Sequence, residues 1–309
     1  MKKIDIVVLG SINLDIMVNV SSFPKYGDTV TAKSIQMLPG GKGSNQAVAV
    51  AKQGSSLIFL GAVGSDGAGK QMLNNLQENG IDTEFIYVDS KIGTGTFVPI
   101  VDDGGENTMV GTLGANASLS EDYINKIMDQ VEAKVLLLQM ETSEESVMAA
   151  LKKAREKGMY VILDPAPADG FRPVALRYAD VITPNQQETE RITGVKVTDV
   201  DSALEAAKVL ESMGTKNSII KLGADGNVIY QSGKVEFVPS LKVKAVNTVG
   251  AGDTFAGALA SEYARTGDLV QAVKYGNVTA GLKVSRGSGQ VSIPTRKEVE
   301  AYISSVQNQ

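Results

Sequence analysis

The chain has 309 residues, 43% of them hydrophobic and 21% charged, a balance typical of a globular protein with a sizeable buried core. Its 30 Lys and Arg residues against 35 Asp and Glu residues give a net charge of -5, which provides no overall basic field to attract a nucleic acid. The sequence contains no His and no Cys, which excludes disulfides, thiolate or imidazole metal ligands and His-based catalytic triads. Any general acid or base must be Asp, Glu, Lys or Tyr.

The amino terminus does not read as a targeting segment. Its basic start is interrupted by Asp5, and the apolar run that ends at Leu9 is too short for a signal-peptide core. No other uninterrupted apolar run approaches the roughly 18 residues of a membrane span. We therefore expect a cytoplasmic protein with neither a membrane nor a nucleic acid as partner.

Short apolar runs with helical segments between them define the expected fold. The runs occupy 4–9, 57–60, 135–138, 161–163, 181–182 and 219–222. Strand, helix and strand at this spacing predict an α/β fold, a three-layer sandwich whose mostly parallel central sheet is flanked by helices.

Helix signals lie between and after these runs. Thr142 with Glu145 forms a capping-box pattern, with Gly158 just beyond the expected helix end, and Thr295 with Glu298 forms another. The sequence predicts helices over 46–52 and, towards the carboxyl end, over about 252–265, 269–284 and 298–306.

Two β-rich segments, 16–38 and 94–111, break the alternation. They have no helical period and predict a small antiparallel β-sheet that projects from the main one as a lid. Simple edge hairpins are the alternative. Because no linker or repeat divides the chain, we expect one domain over 1–309. An open antiparallel sheet must cover its apolar face and edges, so the lid is also the expected interface of a homodimer.

The strongest functional signal is the run Asn247-Thr-Val-Gly-Ala-Gly-Asp253-Thr-Phe, which opens an apolar helix. A glycine loop at a helix N terminus presents backbone N–H groups to an anion. Without His, a carboxylate is the natural acceptor for the proton of a hydroxyl that attacks a phosphoryl group. We therefore predict that Gly250, Ala251 and Gly252 bind the anion and that Asp253 is the base. The alternative is that Asp253 only stabilises the helix N terminus.

A second glycine motif, Pro39-Gly-Gly-Lys-Gly-Ser-Asn45, also precedes an apolar helix. Its glycines allow the backbone to approach a ligand closely, and Lys42 and Asn45 offer hydrogen bonds. Upstream, Asn13 and Asp15 are interpreted as ending the first strand on one face, and ligands of open α/β sheets bind beyond the carboxyl ends of strands. Turn formation explains the glycines, Asn13 and Asp15 equally simply.

Two nucleotide-binding motifs are incomplete. Gly64 to Lys70 has P-loop spacing, but Gln71 follows where a metal-binding Ser or Thr is required, so we predict a turn and a helix start there. The first strand leads to Gly10 without the second glycine of the dinucleotide-binding motif, which weakens a nicotinamide dehydrogenase interpretation.

Three segments in this order carry a family resemblance: Gly41-Lys-Gly43 with Asn45, Asn185-Gln-Gln-Glu188 and Gly250-Ala-Gly-Asp253. Together they resemble the ribokinase-like sugar kinases, the phosphofructokinase B type of carbohydrate kinase. Further segments of that family's pattern are Leu163-Asp-Pro-Ala-Pro-Ala, Ile182-Thr-Pro-Asn and Leu222-Gly before Gly226. The resemblance covers essentially the whole chain, and it implies a magnesium-dependent kinase that transfers the γ-phosphate of ATP to the primary hydroxyl of D-ribose.

The resemblance also implies three sets of site residues. The sugar site would use Asn13, Asp15, Gly41, Lys42, Asn45 and Glu141, with Asp253 as base. The nucleotide would contact Asn185, Glu188, Lys221, Gly223, Gly226, Gly252 and Asn277, with Glu188 placing Mg²⁺ through water. A monovalent cation, K⁺, would be held by Asn247, Val249, Lys283, Arg286, Ser288 and Ser292, several of them through backbone carbonyls.

Two positions depart from the family pattern. Asn247 stands where the family usually has Asp, so we expect potassium activation that needs more potassium than with a carboxylate. Phe97 and Pro99 occupy lid positions that are usually smaller or aliphatic, which leaves the identity of the sugar open.

Two alternative functions remain at this point. One is a kinase of the same fold for another sugar, a phosphosugar or a nucleoside. All seven Arg residues lie at 155 or beyond, so the sugar-binding half lacks the side chain that usually binds a substrate phosphate, and a neutral sugar is favoured. The other is a non-catalytic nucleotide or sugar sensor, against which an intact glycine loop with Asp253 argues.

Overall fold

Two β-sheets and the helices around them make up the computed structural model, which describes residues 1–104 and 106–307; Gly105, inside the predicted lid segment 94–111, and residues 308–309 lie outside it. The first half contains β1 (Lys2–Leu9), β2 (Asn13–Asn19), β3 (Ser34–Gly40), α1 (Lys42–Lys52), β4 (Leu57–Gly64), α2 (Gly67–Glu78), β5 (Ile86–Asp89), β6 (Gly95–Val101), β7 (Asn107–Thr112), α3 (Glu121–Met128), β8 (Val131–Leu138) and α4 (Glu144–Glu156). The second half contains β9 (Tyr160–Leu163), β10 (Val181–Ile182), α5 (Gln186–Thr193), α6 (Val200–Ser212), β11 (Asn217–Lys221), β12 (Gly226–Gln231), β13 (Lys234–Pro239), α7 (Ala251–Thr266), α8 (Leu269–Val284) and α9 (Arg296–Gln307).

The central sheet has nine strands among the described residues, in the order β13-β12-β11-β10-β9-β8-β1-β4-β5. The pairings from β11 through β1 to β5 are parallel, and β12 and β13 add antiparallel strands at one edge. The apolar runs of the sequence form its central strands, because parallel strands covered by helices bury both faces. The predicted three-layer architecture is confirmed.

Alternate residues of β1 divide the core between two layers. Val7 and Leu9 pack in a cluster with residues of α3, α4 and α6, whereas Ile6 and Val8 pack with residues of α1, α2, α7 and α8. This alternation follows from the two-residue period of a strand. None of the helices in the described part of the chain is both long and apolar enough to span a membrane.

The second sheet has the order β3-β2-β6-β7 and corresponds to the predicted lid. Within each hairpin the strands pair antiparallel, and the two hairpins join where β2 pairs with β6 in parallel. Asn13 and Asp15 belong to β2, so the expectation that they end the first strand is wrong: β1 ends at Leu9, and the chain turns before Asn13.

Several element boundaries differ from the sequence prediction. α1 begins at Lys42 rather than at Gln46, since Gly41 is its N-cap, so Lys42 and Asn45 lie in the first helical turn. In α4 the cap is Ser143, whose hydroxyl accepts from the Ser146 N–H at 3.1 Å. The Thr142 capping box is therefore wrong by one residue.

Other predicted helix signals agree with the structure. The Glu298 carboxylate accepts from the Thr295 N–H at 2.7 Å. α8 has the predicted bounds, and the incomplete P-loop forms a turn and the start of α2.

Candidate active site

The glycine loop ends at the N terminus of α7. Gly250 is the N-cap with a φ of 75°, a left-handed conformation that a glycine adopts without strain. The first N–H groups of a helix have no intrahelical partner and carry the positive end of the helix dipole. Asp253 lies in this first turn and is only 8% exposed.

Two side-chain amides of α1 hold the Asp253 carboxylate. Asn45 Nδ2 donates to Asp253 Oδ2 at 2.9 Å, and Gln46 Nε2 donates to Oδ1 at 3.2 Å. The two helices approach closely at Gly257, one turn after Asp253, where a Cβ would lie 2.5 Å from Ala49 Cβ. The glycine therefore brings the carboxylate within reach of α1.

Burial and neighbouring charges shift the pKa of the Asp253 carboxyl group. Burial raises the pKa of Asp253 above its ordinary value, the Lys42 ammonium opposes this rise, and the Asp164 carboxylate adds to it. A carboxyl group with a raised pKa is a stronger base when ionised, which suits it to accept a hydroxyl proton.

A chain of buried polar side chains that no sequence motif marks lies behind Asp253. Gln46 Nε2 also donates to Asp164 Oδ2 at 2.9 Å, and Gln139 Nε2 donates to Gln46 Oε1 at 2.6 Å. Gln139 and Asp164 directly follow the strands β8 and β9. Their place at the carboxyl ends of parallel strands is the signal that could have identified them.

Carboxylates surround Lys42. Its backbone N–H donates to Glu141 Oε2 at 3.3 Å, and the Ser11 hydroxyl donates to the same oxygen at 2.5 Å. Burial lowers the pKa of the Lys42 ammonium, but Asp253, Glu141 and two further carboxylates outweigh it and raise the pKa overall. Lys42 therefore remains a cation at neutral pH.

Asp15 completes the predicted sugar side of the site. Burial raises its pKa to about 6, the charges of Glu141 and Asp253 add to the rise, and Lys42 opposes it. The dependence on these charges places Asp15, Glu141, Asp253 and Lys42 in one electrostatic cluster.

Asn13 is positioned by a residue that the sequence analysis did not identify. Asn116 Nδ2 donates to Asn13 Oδ1 at 2.8 Å and to the backbone carbonyls of Ile12 and Leu113. Asn116 lies in a short 3₁₀ turn, where nothing in the local pattern distinguishes it from an ordinary turn former.

The predicted nucleotide side begins at α5. Asn185 and Glu188 form a reciprocal capping box, in which the Asn185 N–H donates to the Glu188 carboxylate at 2.7 Å. Lys221 Nζ lies 3.2 Å from Asp164 Oδ1 and 3.8 Å from the position that a Cβ on Gly252 would occupy. A cation therefore stands beside the glycine loop.

The remaining predicted nucleotide residues lie at the end of the central sheet. Gly223 lies in the turn between β11 and β12, and Gly226 is the first residue of β12. The Asn277 side chain accepts from Asn227 and donates to the carbonyl of Pro239 at 3.0 Å. Asn277 thus ties α8 to β12 and β13, and its contact with a nucleotide stays a prediction.

The six predicted potassium ligands take separate roles. The Lys283 ammonium donates to the carbonyl of Val249 and, at 3.3 Å, to that of Asn247. Asn247 Oδ1 accepts from the Val249 N–H at 2.8 Å, so this side chain shapes the turn. The others comprise Arg286, which pairs with Glu298 at 3.0 Å, Ser292, which donates to Gly289, and the exposed Ser288. The donor set does not fit potassium as predicted, because an ammonium group holds two of the carbonyls.

The model of the pfkB family carbohydrate kinases matches residues 3–296. The chain belongs to this family.

Individual pfkB relatives align over nearly the whole chain. Ribokinase of Haemophilus influenzae is 38% identical over 96% of this chain and 97% of its own length. Deoxyribokinase of Salmonella typhi is 33% identical over 97% of this chain and 99% of its own length. The structure of Arabidopsis thaliana ribokinase complexed with ribose and ATP superposes with a TM-score of 0.90 at 29% identity, covering 97% of this chain and 98% of the other.

Proposed function

We infer that this pfkB kinase transfers the γ-phosphate of ATP to the primary hydroxyl of D-ribose and forms D-ribose 5-phosphate. The observation that carries the inference is the buried Asp253 carboxylate at the N terminus of α7, held by two amides beside the glycine loop. This geometry puts a proton acceptor next to an anion-binding helix terminus, as transfer of a phosphoryl group to an alcohol requires.

The proposed step is a single displacement at phosphorus. The sugar hydroxyl oxygen bonds to the γ-phosphorus as its proton passes to Asp253, and the bond to the bridging oxygen of ADP breaks. The N–H groups of Gly250 and Gly252 stabilise the charge on the transferring group, while that of Ala251 donates to the Thr248 carbonyl at 3.1 Å. Lys221, close to Gly252, adds a positive charge on the nucleotide side.

Magnesium would be held at the nucleotide side by carboxylates. Burial raises the pKa of Glu188, the charge of Lys221 opposes the rise and the charge of Asp164 adds to it. Mg²⁺ is commonly bound through one or two carboxylates and substrate phosphates, so Glu188 and Asp164 fit it. When bound, the ion neutralises charge on the ATP phosphates.

The sugar side favours a neutral polyol. Asp15, Glu141 and Asn13 supply oxygen atoms that accept from hydroxyl groups. A phosphorylated sugar would place its anion among these carboxylates. Since both a ribokinase and a deoxyribokinase are relatives, 2-deoxyribose is the alternative acceptor that most needs testing.

A homodimer through the lid is part of the proposal. Ile35, Met37 and Val110 are between 58% and 67% exposed on one face of the outer strands β3 and β7. Exposed apolar patches of this kind mark association surfaces. We place the enzyme in the cytoplasm, where ATP is available. Potassium is not included, because Lys283 holds two of the carbonyls predicted to bind it.

The acceptor can be identified by a direct comparison. D-Ribose, 2-deoxyribose, fructose, fructose 6-phosphate and adenosine are offered with Mg-ATP, and ADP formation is measured together with the ³¹P spectrum of the product. We expect the highest kcat/KM for D-ribose and a product phosphorylated at the primary carbon. Preference for fructose 6-phosphate or adenosine would contradict the proposed substrate, and turnover of none of them would contradict the kinase assignment.

A further inference from the structure

Lys283 is a buried cation that the reaction described above does not use. It lies in the last turn of α8 and is 1% exposed. Its ammonium donates to the backbone carbonyls of Asn247 and Val249. Burying an ammonium is costly unless its N–H groups find acceptors, so these two carbonyls are necessary partners of the charge.

The two carbonyls belong to the segment that leads directly into the glycine loop. Residues 240–250 form no helix or strand between β13 and α7. The backbone N–H groups of Val246 and Asn247 donate to the Val284 carbonyl at 2.9 and 3.2 Å, and side-chain contacts add to these bonds. Lys283 fixes the carbonyls, and Asn247 Oδ1 fixes the N–H of Val249 from the other direction. Together with the backbone bonds to Val284, they hold the residues that lead into Gly250 and α7.

The amide at position 247 is matched to this lysine. A carboxylate there would form an ion pair with the Lys283 ammonium and cancel much of its field. An amide supplies the same turn-forming oxygen without the negative charge. The positive charge of Lys283 therefore remains available beside the site where a phosphoryl group accumulates negative charge.

A second ammonium holds the other half of the predicted potassium ligand region. Lys52 Nζ donates to the carbonyl of Gln290 at 2.9 Å and to that of Ile293 at 3.0 Å. Gln290 in turn donates to Asn45 Oδ1 at 2.9 Å, and Asn45 contacts Asp253. Lysine side chains therefore anchor both segments that were expected to surround an ion.

We propose that the Lys283 ammonium is a built-in monovalent cation of the phosphoryl-transfer site and makes the enzyme independent of potassium. It has the same unit charge as K⁺ and uses the same backbone carbonyls, but it is covalently attached to α8. Lys283 is a positioning residue: it holds the backbone that leads into Gly250, and its positive charge lies beside the transferring phosphoryl group. This role rests on the proposed kinase function.

The test compares potassium dependence in three proteins at constant ionic strength, with choline as the replacement cation. Wild type should change less than about twofold in kcat between 0 and 200 mM K⁺. Lys283→Ala should lose at least about tenfold in kcat with little change in the KM for sugar, and K⁺ or NH₄⁺ should restore part of the loss. Lys274→Met is the matched control, because Lys274 lies on the same helix in an exposed pair with Glu236; it should behave as wild type.

Thermal unfolding supplies a readout that does not require turnover. Potassium should raise the Tm of Lys283→Ala above its value in choline and leave that of wild type unchanged. If Lys283→Ala does not fold, Lys283→Met keeps the side-chain volume, and it should lose kcat without responding to cations. A strong potassium effect on wild-type kcat or Tm, or full kcat in either variant, would overturn the proposal. Absence of phosphorylation with any acceptor would instead overturn the kinase function.

Discussion

Asp253 owes its proposed role to its neighbours as much as to its own chemistry. An acid in the first turn of a helix is common and is stabilised by the helix dipole. Burial and the paired donors Asn45 and Gln46 distinguish Asp253 from such an acid, because they fix both carboxylate oxygens at the glycine loop.

Replacement of the Asp253 carboxylate distinguishes a catalytic base from an acid that only stabilises the helix N terminus. Asp253→Asn should lower kcat by about 10²- to 10⁴-fold, because an amide does not accept the hydroxyl proton, while ADP affinity stays near that of wild type. Steady-state kinetics and calorimetry measure the two effects. Glu121→Gln is the control, since Glu121 is a first-turn acid of α3 outside the site. Retention of more than roughly a tenth of wild-type kcat would rule out Asp253 as the base.

Asp15 should make sugar use depend on pH. Its pKa is raised to about 6, mainly by burial and then by Glu141 and Asp253, so the carboxylate that accepts from sugar hydroxyls forms above this pH. The kcat/KM for sugar should therefore rise between pH 5 and 7 and then level off, and Asp15→Asn should lack this step and have a higher sugar KM. A pH profile of both proteins measures the difference. The same step in the variant would assign the titration to another group.

The same raised pKa gives a stability prediction with a definite sign. The folded protein binds the Asp15 proton more tightly than the unfolded chain, whose value is near 3.8, so native stability falls as the pH rises from about 4 to 6. Asp15→Asn removes this penalty, which is worth at most about 3 kcal/mol at pH 8. Urea unfolding should show the variant to be more stable at pH 8, with the difference shrinking at pH 4; equal stability at pH 8 would contradict the cause assigned.

The sequence identifies site residues where a motif concentrates them. Lys42, Asn45 and Asp253 all belong to glycine-rich motifs that open helices. No motif marks Gln46 or Asn116, because each fits an ordinary helix or turn. Gln46 contacts Asp253, 207 residues away along the chain, and Asn116 contacts Ile12, 104 residues away. The sequence predicts Lys283 as one of six potassium ligands, but the direction of its side chain depends on how α8 packs.

At the scale of elements, the close approach of α1 and α7 positions the base. Gly257 permits it, since a side chain there would meet Ala49 Cβ and the Gln46 carbonyl. The amides that hold Asp253 and the helix that carries it are thus set by one interhelical contact.

A single methyl group at this contact should disturb catalysis from a distance. Gly257→Ala must push α7 away from α1, which we expect to cost about 1–3 kcal/mol and to lower kcat as Asp253 leaves its donors. Denaturant unfolding and kinetics measure both effects. Gly67→Ala at the start of α2 is the control, because a Cβ there meets open space. A Gly257→Ala enzyme with wild-type kcat would show that the spacing of these helices does not matter for the reaction.

The sequence predicts whether a segment is a helix or a strand better than it predicts the first and last residues of that segment. Buried apolar runs identify the central strands because both faces of a parallel sheet are covered, and α8 was predicted at its observed bounds. The start of α1 was misplaced because Gly41 and Gly43 suggest a loop, although Gly43 fits against Gly10 inside the first helical turn. The parallel pairing of β2 with β6 joins segments that are far apart in the chain, so no local sequence pattern predicts it.

At the scale of the whole molecule, the exposed side of the lid is the expected dimer surface. Val110→Asp places a charge on β7, where the side chain is 67% exposed, and should convert a dimer into a monomer with little change in Tm. Light scattering after gel filtration measures the mass. Val235→Asp, on the edge strand β13, is the control and should leave the dimer intact. A monomeric wild type, or a dimeric Val110→Asp, would contradict the lid interface.

The hydrogen bond between Asn45 and Asp253 spans 208 positions of the chain. During synthesis, therefore, the ribosome releases the proposed sugar-side residues Asp15 and Lys42 long before the base is made. A nascent chain that ends ahead of α7 has part of a sugar site but no means of activating the hydroxyl. Since contacts this distant in sequence also form slowly, enzymatic activity should be among the last native properties to appear, both on the ribosome and after dilution from denaturant.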